Sequence, residues 1–372
     1  MSSMPATVDV IPTPSASVRR TAGSRGRLRL GIVGCGAIAE SAHLPAALRS
    51  DRVDLVALAD ANKARLRYLQ GQFGLRVAAA SDYRELFDQV AAVVIALPNS
   101  LHAPVALQFL RRGIHVLCEK PLAPTSGECG ELCEAARSNH VVLAVGYVTR
   151  FFPSTELTRT LLEEGLLGQL TSFDYEAGTA RGWETISGYN LIRSSAGGGV
   201  LVVSGSHFMD RLLYLFGQPD VIRYEDDSRG GVEANCRIIV TCQVQGRSLP
   251  GEITFSRTHT LANRLRICGE NGLLEVREGE ARVVTFRPRR GGREHQISGG
   301  PAPKDGDYFR MQLEDFVDAI QSSTEPRVNG EQGSRSVALM EHCYGMATRI
   351  QEPWVDATLP RLWAGALRSD QP

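Results

Sequence analysis

Short apolar segments alternate with amphipathic ones over the first 145 residues of the chain. The apolar segments are uniform, as in Ala91–Leu97, which is typical of parallel strands covered on both faces. The segments between them repeat apolar residues at helical spacing. The predicted strands are Leu28–Val33, Val53–Ala59, Ala91–Leu97, Ile114–Cys118 and Val141–Val145, and the predicted helices are Ala37–Leu48, Lys63–Gln70, His102–Arg112 and Thr125–Ser138. This alternation predicts an α/β unit with a doubly wound parallel sheet.

The second half of the chain has a different pattern, because strand-like segments follow one another with few helices between them. A helix is predicted at Ser154–Glu164. The β-type segments lie near 169–177, 221–227, 233–244, 250–257, 264–269, 272–277 and 281–286. Two helical stretches, at about 306–321 and 333–350, follow them. We therefore expect a second, strand-rich unit.

Composition supports a soluble globular protein and excludes several other classes. At about 150 residues per domain, 372 residues predict two to three domains. Apolar residues make up 43% and charged residues 22%, unlike disordered or fibrous chains. Because 41 basic residues balance 41 acidic ones, no nucleic-acid partner is expected. No apolar run approaches the roughly 18 residues of a membrane helix, so no membrane span is expected.

The eight cysteines show neither a C-x-x-C pair nor a zinc spacing with histidine. We therefore expect no metal site and no disulfide framework. Cys129 and Cys133 are better explained as buried apolar residues on a helix than as a redox pair. This usage of cysteine favours a reducing compartment and a cytoplasmic location.

Segments at both ends of the chain are expected to lie outside the two domains. Residues 1–27 are rich in Ser, Thr, Pro and Ala and predict a disordered leader, and residues 351–372 predict a tail. Arg19-Arg20 resembles a twin-arginine export signal. The apolar stretch behind this pair is better explained as the first strand.

A glycine-rich turn follows the first predicted strand. Gly34–Ala39 reads G-x-G-x-x-A, the pattern of a dinucleotide-binding turn that opens a helix. Gly34 permits the tight turn, Gly36 lets a pyrophosphate approach the backbone, and the helix dipole favours the phosphate. Asp60 ends the second predicted strand, where a carboxylate can hold the ribose 2′-hydroxyl.

Asp60 also has a structural interpretation, as the N-cap of the helix Lys63–Gln70, and the two roles are compatible. An acid at this position disfavours a 2′-phosphate, so NAD is preferred over NADP. Asn62, Lys63 and Arg65 could nevertheless make room for a phosphate. Several of these residues share one location, because doubly wound sheets bind ligands at the carboxyl ends of their strands. The residues at such ends are Gly34, Asp60, Pro98, Asn99 and Lys120.

Four blocks of sequence resemble the Gfo/Idh/MocA family, the relatives of glucose–fructose oxidoreductase and inositol dehydrogenase. The blocks are GIVGCGAIAESAHLPA (31–46), ALPNSLHAPVALQFLRRGIHVLCEKPLA (96–123), VGYVTRFFP (145–153) and GGGVLVVSGSHFMDRLLYLFG (197–217). They keep the family's order and spacing. The resemblance implies a Rossmann domain over 28–146 and a C-terminal α/β domain over 147–350. The second domain is expected to hold a large open, mainly antiparallel sheet that serves oligomer contacts and one face of the substrate cleft.

The resemblance also implies NAD(P) as the cofactor, bound by the glycine turn and the strand ends. The expected cofactor-binding residues are Gly34, Gly36, Ala37, Ile38, Asp60, Leu97, Pro98, Asn99, His102, Glu119 and Lys120.

Lys120 and His207 are the catalytic candidates. Oxidation of a hydroxyl needs a base for its proton, and an ammonium group in a closed cleft has a lowered pKa. In the family, the lysine of E-K-P takes this role, and the histidine that His207 matches hydrogen-bonds the reacting oxygen. The alternative interpretations are that Lys120 is a solvent-exposed lysine and that His207 is a structural histidine. Asp210, one helical turn after His207, is either within reach of it or a buried anchor for the preceding loop.

One position departs from the family pattern. Many family members carry Asp or Asn four residues before this histidine, and the chain has Val203 there. Valine can neither relay a proton nor bind a hydroxyl. Three explanations stay open: Lys120 works with His207 alone, Ser204, Ser206 or a tyrosine from 147–189 substitutes, or alcohol dehydrogenation is not the reaction.

Substrate contacts are expected where the chain crosses between the domains and in a Gly-rich loop of the second one. The candidates are Tyr147, Arg150, Trp183, Tyr189 and Asp210. Aromatic rings stack on sugar faces, and arginine hydrogen-bonds hydroxyls. The alternative is a loop that merely packs on the sheet.

The leading hypothesis is an NAD(P)-dependent oxidoreductase acting on a hydroxyl or ketone of a sugar, sugar derivative or cyclitol, assembled as a homodimer or homotetramer. One alternative is a glycosidase that oxidises, eliminates and re-reduces its substrate with a retained NAD. The other is a non-catalytic dinucleotide-binding sensor. Val203 is compatible with the sensor, whereas Lys120 and His207 argue against it.

Overall fold

The computed structural model describes residues 26–180, 188–300 and 307–350. Most of the predicted leader, and the predicted tail from residue 351, therefore lie outside the described residues. The first sheet has six parallel strands in the order β3-β2-β1-β4-β5-β6. Its strands are β1 (Leu28–Val33), β2 (Val53–Ala59), β3 (Ala78–Ala80), β4 (Ala92–Ile95), β5 (His115–Cys118) and β6 (Leu143–Val145). The predicted doubly wound parallel sheet is confirmed.

The order of this sheet reverses between β1 and β4, which leaves a crevice outside the carboxyl ends of the strands. Val33 at the end of β1 pairs with Ala59 of β2 on one side and Ile95 of β4 on the other. The residues that follow these strand ends, Gly34 and Asp60 among them, are thereby brought to one edge.

The second sheet has nine strands in the order β14-β13-β12-β11-β7-β10-β9-β8-β15. Its strands are β7 (Leu170–Gly178), β8 (Asp220–Asp226), β9 (Asn235–Val244), β10 (Arg247–Ser256), β11 (Arg264–Gly269), β12 (Gly272–Arg277), β13 (Val283–Pro288), β14 (His295–Ser298) and β15 (Thr348–Arg349). Two pairs, β7 with β10 and β8 with β15, are parallel, and the others are antiparallel. The predicted second domain with a mainly antiparallel sheet is confirmed.

The helices cover the two sheets. They are α1 (Leu44–Arg49), α2 (Lys63–Phe73), α3 (His102–Leu110), α4 (Ser126–Ser138), α5 (Pro153–Glu163), α6 (Arg193–Ala196), α7 (Ser206–Phe216), α8 (Tyr308–Ser322) and α9 (Gly330–Gly345). None of the helices in these described parts of the chain is long and apolar enough to cross a membrane.

Two helical stretches contain a π-helical turn. Ala39–His43 precedes α1, and Leu201–Gly205 precedes α7. The predicted single helix over 37–48 is therefore made of two parts with different hydrogen-bond patterns. Such widened turns re-aim side chains and carbonyl groups and occur frequently at functional sites.

Aromatic stacking fixes α7 on the inner face of the second sheet. The ring of Phe208 stacks on that of Tyr175 of β7 with centroids 3.6 Å apart, and Phe216 stacks on Phe173 at 4.9 Å. All four rings are buried. Because Phe208 is clamped in this way, the first turn of α7, which carries His207, has a fixed position.

The outer face of the same sheet is polar. Arg266 of β11 pairs with Asp174 of β7 at 2.8 Å. The carboxylate of Glu275, which is only 2% exposed, lies 3.3 Å from both Arg264 and Arg287. This face is therefore cross-linked by ion pairs between neighbouring strands, and its role in oligomer contacts stays a prediction.

Candidate active site

The glycine turn lies where the backbone after β1 passes close to β4. Gly34 has a φ of +93°, and an added Cβ would lie 2.3 Å from the carbonyl oxygen of Ala96. Gly36 differs, because an added Cβ would meet no atom within 4 Å. Ala37 is exposed and Ile38 half-buried at the start of the helical stretch. The first N–H groups of a helix have no partner inside it. The open space beside Gly36 and these groups fit a pyrophosphate.

The carboxylate of Asp60 ties this turn to the end of β2. Its Oδ2 accepts a hydrogen bond from the backbone N–H of Cys35 at 2.8 Å, and its Oδ1 accepts one from that of Asn62 at 2.7 Å. The interpretation of Asp60 as the cap of α2 is wrong. Asn62 is the N-cap, and its side chain accepts from the N–H groups of Ala64 and Arg65.

The residues that could make room for a 2′-phosphate are mostly engaged elsewhere. Nε of Arg65 donates to the carbonyl of Cys35 at 2.6 Å, and its Nη2 pairs with Glu40. The amide oxygen of Asn62 caps α2. Lys63 is exposed on the first turn of that helix.

Two of the predicted cofactor residues, Asn99 and His102, are buried and bonded to backbone. Nδ2 of Asn99 donates to the carbonyl of Ala196 at 2.7 Å, which links the two domains. The ring nitrogens of His102 lie 2.8 Å from the carbonyl oxygens of Pro121 and Leu97. These side chains hold the strand-end loops together, and their role in cofactor binding stays a prediction.

Glu119 directly follows β5, and its carboxylate is held between His43 and the backbone of Lys120. Its Oε1 lies 2.8 Å from Nε2 of His43, and its Oε2 accepts from the backbone N–H of Lys120 at 3.0 Å. Burial alone would raise the pKa of Glu119, but the hydrogen bond to His43 and the nearby positive charge lower that pKa to about 2. Sequence reasoning missed His43, which lies in an apolar pattern and reaches Glu119 from the π-helical turn before α1.

Lys120 reaches across the crevice to the second domain. Its Nζ donates to the carbonyl oxygen of Val203 at 2.7 Å. Burial lowers the pKa of Lys120, while the charge of Glu119 opposes that effect. The position that departs from the family pattern therefore contributes its backbone: the side chain of Val203 relays no proton, but its carbonyl holds the amine.

His207 lies on the first turn of α7, beside Lys120. Its Nδ1 is buried and has no hydrogen-bond partner among the described residues. Burial and the charge of Lys120 lower the pKa of His207 to about 3, so the ring is neutral over the physiological range. The fully buried ring of Tyr147 contacts it edge-on, with centroids 5.9 Å apart.

Glu233 supports the segment that carries Val203 and His207, and sequence reasoning missed it. Its carboxylate is completely buried and accepts from the backbone N–H groups of Gly199 at 2.8 Å and Leu201 at 3.0 Å, and from the hydroxyl of Tyr344 at 2.8 Å. An added Cβ on Gly199 would lie 2.0 Å from the carbonyl oxygen of Glu233. Only long-range contacts reveal this role, because Glu233 lies 34 residues beyond Gly199.

The other predicted substrate residues are placed differently from one another. Arg150 and Asp210 form a buried ion pair, with Nε and Oδ2 2.9 Å apart, and each is at most 3% exposed. They face one another in the structure and not solvent. Tyr189 is half-buried on a short turn, and Trp183 lies outside the described residues.

The structure thus brings most of the predicted residues to the carboxyl edge of the first sheet. Those that border the crevice follow β1, β2, β4 and β5, and they are Gly36, Ala37, Ile38, Asp60, Leu97, Pro98 and Lys120.

Two family models match consecutive parts of the chain. Residues 28–147 match the oxidoreductase family's NAD-binding Rossmann fold, and residues 159–349 match its C-terminal alpha/beta domain. The chain belongs to the Gfo/Idh/MocA oxidoreductase family. The resemblance seen in the sequence is confirmed, and the first sheet is the NAD(P)-binding Rossmann fold of a Gfo/Idh/MocA protein.

Two relatives within the family show the extent of the similarity, and the second is named for a glucoside substrate. Over 192 residues the chain is 33% identical to the rhizopine catabolism protein MocA of Rhizobium meliloti, covering 52% of the chain and 58% of that protein. Over 199 residues it is 30% identical to the D-glucoside 3-dehydrogenase of Escherichia coli, covering 52% and 55%. The matches thus span little more than half the length of these two Gfo/Idh/MocA proteins.

A solved structure shares the whole fold. It is a 3-ketoreductase from Actinomadura kijaniata in complex with NADP and TDP-benzene. The TM-score is 0.78 at 23% identity, and the match covers 88% of the chain and 100% of the ketoreductase.

Proposed function

We propose that the protein is an NAD(P)-dependent oxidoreductase that transfers a hydride between the nicotinamide and a hydroxyl or ketone carbon of a sugar, sugar derivative or cyclitol. The observation that carries the proposal is the position of Lys120. Its amine lies at the crevice and is anchored by a carbonyl of the other domain, while its backbone N–H donates to the carboxylate of Glu119. Relatives that are named as a D-glucoside 3-dehydrogenase and a D-xylose 1-dehydrogenase support the substrate class.

Lys120 moves the proton in this proposal. The dinucleotide, when bound, supplies the hydride acceptor or donor. In oxidation, neutral Nζ accepts the proton of the substrate hydroxyl, and in reduction the ammonium returns it. One donor hydrogen bond to Val203 holds Nζ in place and leaves the remainder of the amine for the substrate oxygen.

His207 orients the reacting oxygen. Because its lowered pKa keeps the ring neutral, it contributes a hydrogen bond and no charge. Its buried Nδ1, which lacks a partner among the described residues, is consistent with a place reserved for a substrate oxygen. Tyr147 contacts the ring of His207 edge-on, and Asp210, one turn further along α7, is held by its buried ion pair with Arg150.

NAD is the preferred cofactor in this proposal. Asp60 places a carboxylate at the turn, where a 2′-phosphate would be repelled, and Arg65 and Asn62 are engaged within the protein. The homodimer or homotetramer and the cytoplasmic location stay predictions.

The test is a substrate screen with purified protein. Aldoses, glycosides, cyclitols and their ketones are supplied with NAD(H) and with NADP(H), and nicotinamide absorbance is followed. We expect turnover for at least one carbohydrate, faster with NAD(H). Glycoside cleavage without net cofactor turnover would show the glycosidase instead. Dinucleotide binding with no turnover of any substrate would favour the sensor.

A further inference from the structure

Arg257 is a half-buried arginine that has two buried, unsatisfied nitrogens. It follows β10, and its backbone N–H donates to the carbonyl of Ala234 at 2.8 Å. Its Nη1 makes one long hydrogen bond, 3.3 Å, to the carbonyl of Asn190. Its Nε and Nη2 are buried and have no hydrogen-bond partner among the described residues. A buried donor that is left unpaired destabilises the protein, and the penalty is larger for a charged group.

Two other arginines with a buried, unpaired Nε provide a contrast. Arg211 pairs with Glu278, and Arg264 pairs with Glu275. The guanidinium of Arg257 has no carboxylate within ion-pair distance among the described residues. Of these three arginines, Arg257 is therefore the one whose charge has no carboxylate partner among the described residues.

The buried carboxylate of Glu233, whose charge acts on Arg257, is not its hydrogen-bond partner. Its oxygens accept from Gly199, Leu201 and Tyr344. Its charge acts on Arg257 without a hydrogen bond, and burial lowers the pKa of the arginine in spite of that charge.

Tyr189 connects Arg257 to the crevice. The residue next to it, Asn190, holds Nη1 of the arginine. Burial raises the pKa of Tyr189, the charge of Glu119 raises it further, and the charge of Arg257 lowers it. The phenol therefore lies within electrostatic reach of both the Lys120 end of the cleft and the guanidinium.

We propose that Arg257 binds an anionic group of the substrate, a carboxylate or a phosphate, while Lys120 faces the reacting hydroxyl at the other end. A guanidinium presents parallel donors that match either group with two hydrogen bonds. This inference rests on the proposed function and narrows its substrate class to acidic carbohydrates.

Direct binding tests the site separately from turnover. Protein saturated with NADH is titrated by calorimetry with glucuronate, glucose 6-phosphate and glucose. We expect at least one of the charged sugars to bind about tenfold or more tightly than glucose, a difference of about 1.4 kcal/mol. Tight binding of only glucuronate would identify the carboxylate, and tight binding of only glucose 6-phosphate the phosphate.

Two variants connect the preference to this side chain. Arg257→Gln is expected to remove the preference for the charged sugar. Arg193→Gln, at an exposed arginine whose guanidinium lies 5.3 Å from the ring of Tyr344, is the matched control and is expected to keep it. If Arg257→Gln fails to fold, Arg257→Lys keeps the charge without the planar fork and is expected to raise KM for the charged substrate with little change in kcat.

Equal binding of all three sugars by the wild type, or an unchanged preference in Arg257→Gln, would overturn the proposal. Binding of a charged sugar that is never oxidised or reduced would instead leave the anion site standing and contradict the proposed reaction.

Discussion

The molecule has two glycine-rich segments that run into π-helical turns, and a carboxylate supports each of them. At the first turn, Asp60 accepts the N–H of Cys35 and remains partly exposed. At the second, Glu233 accepts two N–H groups, from Gly199 and Leu201, and is completely buried. The same device thus serves two purposes. We call the first one the open segment, because the carboxylate of Asp60 can still meet a ligand. We call the second one the closed segment, because the carboxylate of Glu233 can only position the chain that leads to Val203.

The glycines of the two segments also differ in how much free space surrounds them. An added Cβ on Gly36 meets open space, and one on Gly199 meets backbone. Gly36 leaves space for a ligand that approaches the protein, whereas Gly199 leaves space for the backbone of Glu233. The following changes separate these two roles.

The largest effect is expected at Lys120, whose amine is held by the second segment through the carbonyl of Val203. Lys120→Met should lower turnover about 10²- to 10⁴-fold, because it removes the group that takes the proton in the proposed reaction. Lys120→Arg is the matched control, since it keeps the charge but cannot deprotonate. Both variants should lose turnover and retain NADH affinity in a fluorescence titration. Full turnover in Lys120→Arg would show that charge alone suffices.

Substitution of the two glycines should affect different properties: the stability of the fold at Gly199 and the binding of NADH at Gly36. Gly199→Ala should destabilise the fold by about 1–3 kcal/mol or more, measured by denaturant unfolding, because its Cβ has no room. Gly36→Ala should leave the free energy of unfolding within about 0.5 kcal/mol of the wild type. It should instead weaken NADH binding by about tenfold, or about 1.4 kcal/mol. The reverse result would contradict the assignment of the first turn to the cofactor.

Glu233→Gln tests the closed carboxylate. Loss of its hydrogen-bond pattern should cost about 1–3 kcal/mol of unfolding free energy, and Tyr344→Phe, which removes one of its three partners, should cost less. Because the supported segment anchors Nζ of Lys120, the pH profile of kcat/KM should also shift in Glu233→Gln. A stability loss with an unchanged profile would mean that Glu233 supports the fold but does not position Lys120.

The smallest expected effect is on the way kcat/KM depends on pH. Since the base must be neutral, kcat/KM for hydroxyl oxidation should rise with pH through the lowered pKa of Lys120 and then level off. The reduction should show the opposite trend. His207→Asn should lower the plateau without moving the inflection, because the pKa of about 3 keeps His207 out of this range. An inflection that disappears in His207→Asn would assign the base to the histidine.

The open segment was predictable from sequence, and the closed one was not. Strands β1 and β2 and the turn at Gly34 are defined by local patterns, so their bounds were predicted as observed. Short strands such as Ala78–Ala80 and His295–Ser298 were missed, because three or four residues carry too little alternation. α9 begins at Gly330, since Asn329 and Gln332 form a capping box that the apolar pattern does not show.

The site follows the same division. Lys120 and His207 stand in recognisable blocks of sequence. The partners of these blocks do not, because they are set by tertiary contacts: His43 reaches Glu119 across 76 residues, and Lys120 reaches Val203 across 83. Val203 illustrates the limit, since its side chain left several explanations open, including lost catalysis, while its carbonyl holds the amine.

The most direct test of the account is a fluorescence titration of the wild-type protein, freed of any retained cofactor, with NADH and NADPH. The open turn beside Gly36 and the carboxylate of Asp60 predict micromolar or tighter binding of NADH and weaker binding of NADPH. Binding of neither dinucleotide would contradict the account at its first step.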